Sequence, residues 1–231
     1  MVAGILCIGL GIALAKHSGT GTSPISTFPA VCTEIAAKHG MGWITMGMFT
    51  LMFNALYFVL EVVLMRREFG LIQLVQIPLF VLLSASVDVW LGLLDHIALP
   101  NYPCQLLCLL ASIVVLALGV HLCVRVNILM TPGDAAPVVI AYKTQKPFHR
   151  VKVAWDVTLM CGAALLSLLC LGQLVHVREG TIISALLVGN VVKVWSNLLE
   201  NVSWIIPVAP KDFVPPLIPR KQHKKREAKL V

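Results

Sequence analysis

This chain carries the same pattern twice, and that limits its fold more than any other feature. Leu10, Gly11, Leu14, Pro24, Pro29 and Val31 recur 108 positions later as Leu118, Gly119, Leu122, Pro132, Pro137 and Val139. Val87-Asp88-Val89-Trp90 is answered by Val192-Lys193-Val194-Trp195, and Leu93, Leu94 and Asp95 by Leu198, Leu199 and Glu200. A duplicated sequence implies two copies of one structural unit packed together.

The units belong in a membrane. Only 13% of the 231 residues are charged and 58% are hydrophobic, whereas a soluble domain carries roughly a quarter charged residues. The apolar stretches do not alternate with polar residues, which excludes a membrane barrel and points to an all-α bundle. They run approximately 2–16, 43–65, 71–94, 104–125, 153–176 and 181–206. Shorter stretches near 24–37 and 132–142 cannot span. Each repeat therefore reads as span, broken segment, span, span. The expected organisation is a first membrane repeat over 1–98, a second over 99–208 and a basic tail over 209–231. The first stretch, Val2 to Ala15, has neither the basic start nor the cleavage site of a removable signal. It is also short for a span, so either the segment behind it completes the crossing or the chain starts upstream.

Basic residues set the orientation. Arg66-Arg67, then Lys143, Lys146, Arg150 and Lys152, then the tail cations from Lys211 to Lys229 all fall on one side if there are six spans. That side is expected to be the cytoplasm, with the protein in the cell membrane and both termini cytoplasmic. Three spans per repeat then force the second copy upside down, the inverted duplication of many secondary transporters. The tail is expected to meet anionic lipid headgroups rather than nucleic acid. The seven cysteines have no disulfide or zinc spacing and read as small core residues. No metal or cofactor is implied, and a homo-oligomer is compatible with the sequence.

Candidate chemistry sits at the two breaks. Gly21-Thr22-Ser23-Pro24 and Thr131-Pro132-Gly133-Asp134 each place a hydroxyl before a proline, a good start for a helix. If both short helices start near the membrane midplane, their N–H groups and dipoles favour an anionic group. The same turns could instead cap helices outside the membrane; their recurrence in both copies favours a site. Gly21, Thr22, Ser23, Pro24, Thr131, Pro132, Asp134 and Asn190 are the expected solute contacts. Asp88 and Lys193 hold equivalent places in the two copies and are expected to pair, as a coupling or gating element or as a static lock. Asp156 joins them as a carboxylate about a turn inside the membrane, paired with Lys152 at i, i+4. Asn54 and His121 read as helix–helix hydrogen-bonding residues, Glu61 as interfacial, and most tryptophans as interfacial belt residues.

Gly21-Thr22-Ser23-Pro24, Pro132-Gly133-Asp134, Lys152-x-x-x-Asp156 and above all Gly180-Thr-Ile-Ile-Ser-Ala-Leu-Leu-Val-Gly189 together resemble the YczE/YitT-type family of bacterial inner-membrane proteins, over most of residues 1–205. The first copy has Gly70-Leu71 where the second has Gly180-Thr181. The resemblance implies a polytopic membrane protein and does not choose a substrate. The functional expectation is a secondary transporter or permease for a small anionic or zwitterionic solute, with a non-transporting accessory or scaffold as the alternative. No enzymatic triad or metalloprotease motif occurs, so an enzyme is not expected.

Overall fold

The computed structural model describes residues 1–66, 71–126, 131–146 and 148–199. Expectations placed on Arg67, Gly70, Glu200 and the basic tail lie outside the described residues. Within them the chain forms helices α1 (Val2–His17), α2 (Pro24–Lys38), α3 (Met46–Met65), α4 (Gln76–Leu94), α5 (Tyr102–Val126), α6 (Pro132–Thr144), α7 (Phe148–Leu171) and α8 (Glu179–Leu198), with a 3-10 turn, Leu71–Val75, leading into α4. No strand occurs among the described residues.

Five segments are long and apolar enough to cross a membrane: Met46–Met65, Gln73–Leu94, Tyr102–Cys123, Arg150–Leu171 and Glu179–Leu198. Helix α1 is apolar but has 16 residues, or about 24 Å of helix against the ~30 Å of a hydrocarbon core. Large apolar side chains such as Leu169 and Leu186 face outward, as they must where the surroundings are lipid.

The repeat is visible in which helices touch. Helix α1 packs on α4 as α5 packs on α8, α2 on α7 as α6 on α3, and α2 on α3 as α6 on α7. The largest contact joins α1 to its own counterpart α5. Glycines set that crossing. A Cβ on Gly11 would stand 2.8 Å from the backbone of Leu116, and one on Gly119 would stand 2.7 Å from the nitrogen of Ile8. These two clashes are mates under the 108-residue repeat, so close backbone approach is required twice by the same packing. Ile5, Ile8 and Ile12 then bury against Leu83, Val87 and Leu116 to form the central core.

Two further bonds repeat. Trp90 donates its indole N–H to the carbonyl of Leu6 at 3.2 Å, and Trp195 donates to the carbonyl of Val114 at 3.2 Å. These two tryptophans tie α4 to α1 and α8 to α5; Trp43, exposed ahead of α3, is free of such a contact among the described residues.

The exchange of halves fails at one place. Helices α3 and α4 pack together, whereas α7 and α8 make no substantial contact. Helix α7 also stops at Leu171, earlier than the apolar run suggests. Gly172 takes φ +73 there, and the Ser167 hydroxyl bonds the Gln173 carbonyl and the Val175 N–H. The side chain thus satisfies backbone groups released by the helix end.

Candidate functional site

Both broken segments start helices at one cavity. It has a volume of about 460 Å³ and reaches Ser23, Pro24 and Ser26 at the start of α2, and Thr131 and Asp134 at the start of α6. Ser23 and Thr131 have nearly the same backbone, φ −66 and ψ 150 against φ −65 and ψ 146, and each precedes a proline in the first helical turn. Proline needs no partner there, because the first N–H groups of a helix have none to give up. Neither hydroxyl caps a backbone N–H in the usual way. Each bonds the side chain three residues on instead: Ser23 to Ser26 at 2.7 Å, Thr131 to the Asp134 carboxylate at 3.1 Å.

A three-residue charge cluster closes one end of the cavity. The Lys152 ammonium lies 3.4 Å from Asp134 Oδ1 and 3.1 Å from Asp156 Oδ1. Lys152 is therefore shared between the first turn of α6 and its own helix α7. The i, i+4 spacing announced the bond to Asp156; the bond to Asp134 needs α6 to pack on α7. With both carboxylates ionised, the cluster carries one formal negative charge in excess.

Helix α3 supplies another wall. Thr50, Asn54 and Tyr57 line the cavity, and with Met46, Glu61 and Met65 they form one buried stripe at spacings of three and four. The Asn54 amide donates to the Thr50 carbonyl at 2.8 Å, a bond within its own helix rather than across to another. Tyr57 is 5% exposed, stacks edge-on against Trp155 with centroids 5.6 Å apart, and its hydroxyl has no partner among the described residues. A buried phenol oxygen without a bond is costly, so a polar ligand group would relieve it. Ile8, Ile12, Leu116, Val120 and Val188 complete a largely apolar surface. Among the described residues no cluster of His, Cys, Asp and Glu is assembled to hold a metal ion.

Of the residues expected from sequence, Ser23, Pro24, Thr131, Asp134 and Asp156 meet at the cavity; Gly21, Thr22, Pro132, Asn190, Asp88 and Lys193 are not in its lining. Gly21 and Thr22 serve the fold instead. Gly21 has φ +131, and a Cβ there would lie 2.8 Å from the nitrogen of Thr181. Thr22 N–H donates to the His176 carbonyl and Gly180 N–H to that of Thr20. The glycine-threonine block at the head of α8 is thus the seat of the first break. Asn190 is exposed, its amide bonded to the Leu186 carbonyl one turn back.

The expected Asp88–Lys193 pair is corrected. Asp88 accepts a 2.6 Å bond from the Thr45 hydroxyl and a 2.7 Å bond from the Gly47 N–H. It caps the N-terminus of α3 from the neighbouring helix, where the helix dipole favours a carboxylate. Lys16, at the end of α1, is a cation within electrostatic reach of it. Lys193 is exposed on α8 and forms no ion pair with a described residue. Sequence equivalence did not become contact because the two aligned positions lie on α4 and α8, which do not pack together. Tyr57 went unnoticed in the sequence, although polar residues at helical spacing inside an apolar span were a usable signal.

Together these features define a multi-pass helical membrane protein enclosing a mostly apolar cavity with a charged end. The chain belongs to DUF6198, a family of unknown function whose pattern matches residues 1–197. It is also 28% identical over 138 residues to the uncharacterized protein YyaS of Bacillus subtilis (strain 168), covering 59% of this chain and 64% of that relative's length. These comparisons supply no YczE/YitT assignment. No solved structure matches the chain.

Proposed function

We propose that the protein is a secondary transporter or permease of a cell membrane, and that its cavity carries a small zwitterionic solute. One observation carries the reading: the N-terminal turns of both short helices open on the same cavity beside Lys152, Asp134 and Asp156. Interrupted helices meeting between two structural repeats are how many transporters expose backbone N–H groups to substrate. An anionic group of the solute would meet the first turn of α2, which carries no acidic side chain. Its cationic group would balance the excess carboxylate charge of the cluster. A purely anionic solute would leave that excess uncompensated, so the zwitterion is favoured over the anion.

In this reading the halves are inverted, with α1, α3, α4, α5, α7 and α8 as six crossings and both termini in the cytoplasm. The matched contacts of the two halves support it. Alternating access would be a rocking of one half against the other, and the separated helices α7 and α8 would be the flank that moves.

The test uses purified full-length protein. Proline, glycine betaine and carnitine as zwitterions, and lactate and phosphate as anions, are screened for a rise in melting temperature and for counterflow into proteoliposomes. A ligand that binds only the folded state must raise its stability. A zwitterion should stabilise the parent and exchange across the vesicle, and Lys152→Met should lose both effects. If no probe stabilises or crosses, the transport reading fails; if anions alone act, the charge argument fails.

A further inference from the structure

One turn below the cavity, helix α3 buries a carboxyl group that the transport site does not use. Glu61, expected at the membrane interface, is 0% exposed: the 3-10 turn and the start of α4 fold over it and bring Gln73 and Gln76, 1% and 0% exposed. The Gln76 amide donates to Glu61 Oε1 at 3.2 Å, and the Gln73 amide donates to the Met65 sulfur at 3.4 Å. Three acceptors are then left with no partner among the described residues: Glu61 Oε2, Gln73 Oε1 and Gln76 Oε1. Every unmatched atom in this cluster is an oxygen lone pair, and none is a donor.

A buried ion without a counter-charge costs far more than a neutral group. The elements packed against α3 bring Glu34, Cys32 and Lys38 on α2, Asp88 on α4, and Asp134, Tyr142 and Lys143 on α6. Among the described residues none of these bonds Glu61, whose single hydrogen-bond partner there is Gln76, and Arg66 at the end of α3 is exposed. One proton on Glu61 Oε2 would turn an orphan acceptor into a donor in a cluster that holds two unmatched amide oxygens, and would remove the charge at the same time. A metal cation explains the pattern less well, because the carboxyl already accepts an N–H from the Gln76 amide.

We propose that Glu61 is a proton-binding site, one helical turn from Tyr57 on the stripe Thr50, Asn54, Tyr57, Glu61, and that its loading and release couple the proposed solute transport to a proton gradient. The coupling rests on the transport reading; proton binding at Glu61 does not. Met65 gives the site a mechanical link, since it packs on Ala135, Val138 and Val139 of α6, the helix whose first turn bears Asp134. Movement of α6 would therefore be felt at Met65, and through its sulfur at the Gln73 amide of the cover.

Infrared difference spectra of the full-length protein between acidic and alkaline buffer test the site directly. The parent should lose a protonated-carboxyl C=O band as pH rises, and Glu61→Gln, isosteric with the neutral acid, should stay folded and lack that band. In proteoliposomes Glu61→Gln should retain solute counterflow and lose accumulation driven by a pH gradient. Three results would overturn the proposal. They are a carboxylate signal at every pH, an unchanging neutral band across the whole range, and a melting temperature raised by sodium over choline in the parent but not in Glu61→Gln. If the parent moves no solute at all, the transport reading falls while the spectra still decide whether Glu61 binds a proton.

Discussion

The two halves of this protein share a sequence pattern and differ in how they close. In the first, α3 and α4 pack together, and Asp88 of α4 holds the N-terminus of α3 through Thr45 and Gly47. Gly47 permits this, since a Cβ there would collide with the Asp88 carboxyl and the Ser84 carbonyl. In the second, Lys193 stands in the place of Asp88. A cation cannot accept the N–H groups of a helix start, and α7 and α8 stand apart. A capped junction makes one half a closed wall. Its absence leaves the other half able to admit the cavity between α7, with Val153 and Asp156, and α8, with Ala185 and Val188.

The contrast can be broken hardest at what the halves share. Gly119→Leu inserts a side chain where a single Cβ already meets the backbone of Gly4 and Ile8. Overpacking of this kind costs about 3 kcal/mol, so the melting temperature of the detergent-solubilised protein should fall sharply. A Gly119→Leu protein as stable as the parent would mean that α1 and α5 do not cross as described. Removing the closure comes next. Asp88→Ala leaves the Gly47 N–H and the Thr45 hydroxyl without their acceptor and should cost about 1–2 kcal/mol in denaturant titration.

The tryptophan bonds sharpen the comparison further. Trp90→Phe and Trp195→Phe each remove one indole–carbonyl bond in equivalent places, and each should cost about 1 kcal/mol. Unequal costs would show that the repeat extends to contacts but not to energetics. The smallest effect belongs to Lys193→Ala. The side chain is exposed and unpaired among the described residues, so stability should change by less than about 0.5 kcal/mol. A large loss, or one that vanishes in the Asp88→Ala background, would restore the Asp88–Lys193 pair.

Much of the fold could be read from residue order. The helices around 46–65, 76–94 and 179–198 follow from apolar runs of spanning length, and the starts of α2 and α6 follow from Ser23-Pro24 and Thr131-Pro132. The Lys152–Asp156 bond follows from its i, i+4 spacing. The end of α7 at Leu171 does not, because the chain stays apolar beyond it and the stop depends on the Gly172 backbone and the Ser167 hydroxyl. The candidate site was half legible. Its helix starts repeat, and a repeat is visible in one dimension; Gly21 and Thr22 share that motif yet brace it against α8.

By itself the sequence determined that the chain is a duplicated, helical membrane protein. Hydrophobic length and repetition are properties of residue order, and the lipid solvent admits few folds for them. Only the tertiary structure decided which charges meet. It gave Asp88 to a helix end, Lys152 to two carboxylates, and Glu61 to a buried cluster with Gln73 and Gln76. The physical reason is range: a hydrogen bond or ion pair forms only within a few ångströms, and residues matched by a repeat come that close only when their helices lie at a shared interface.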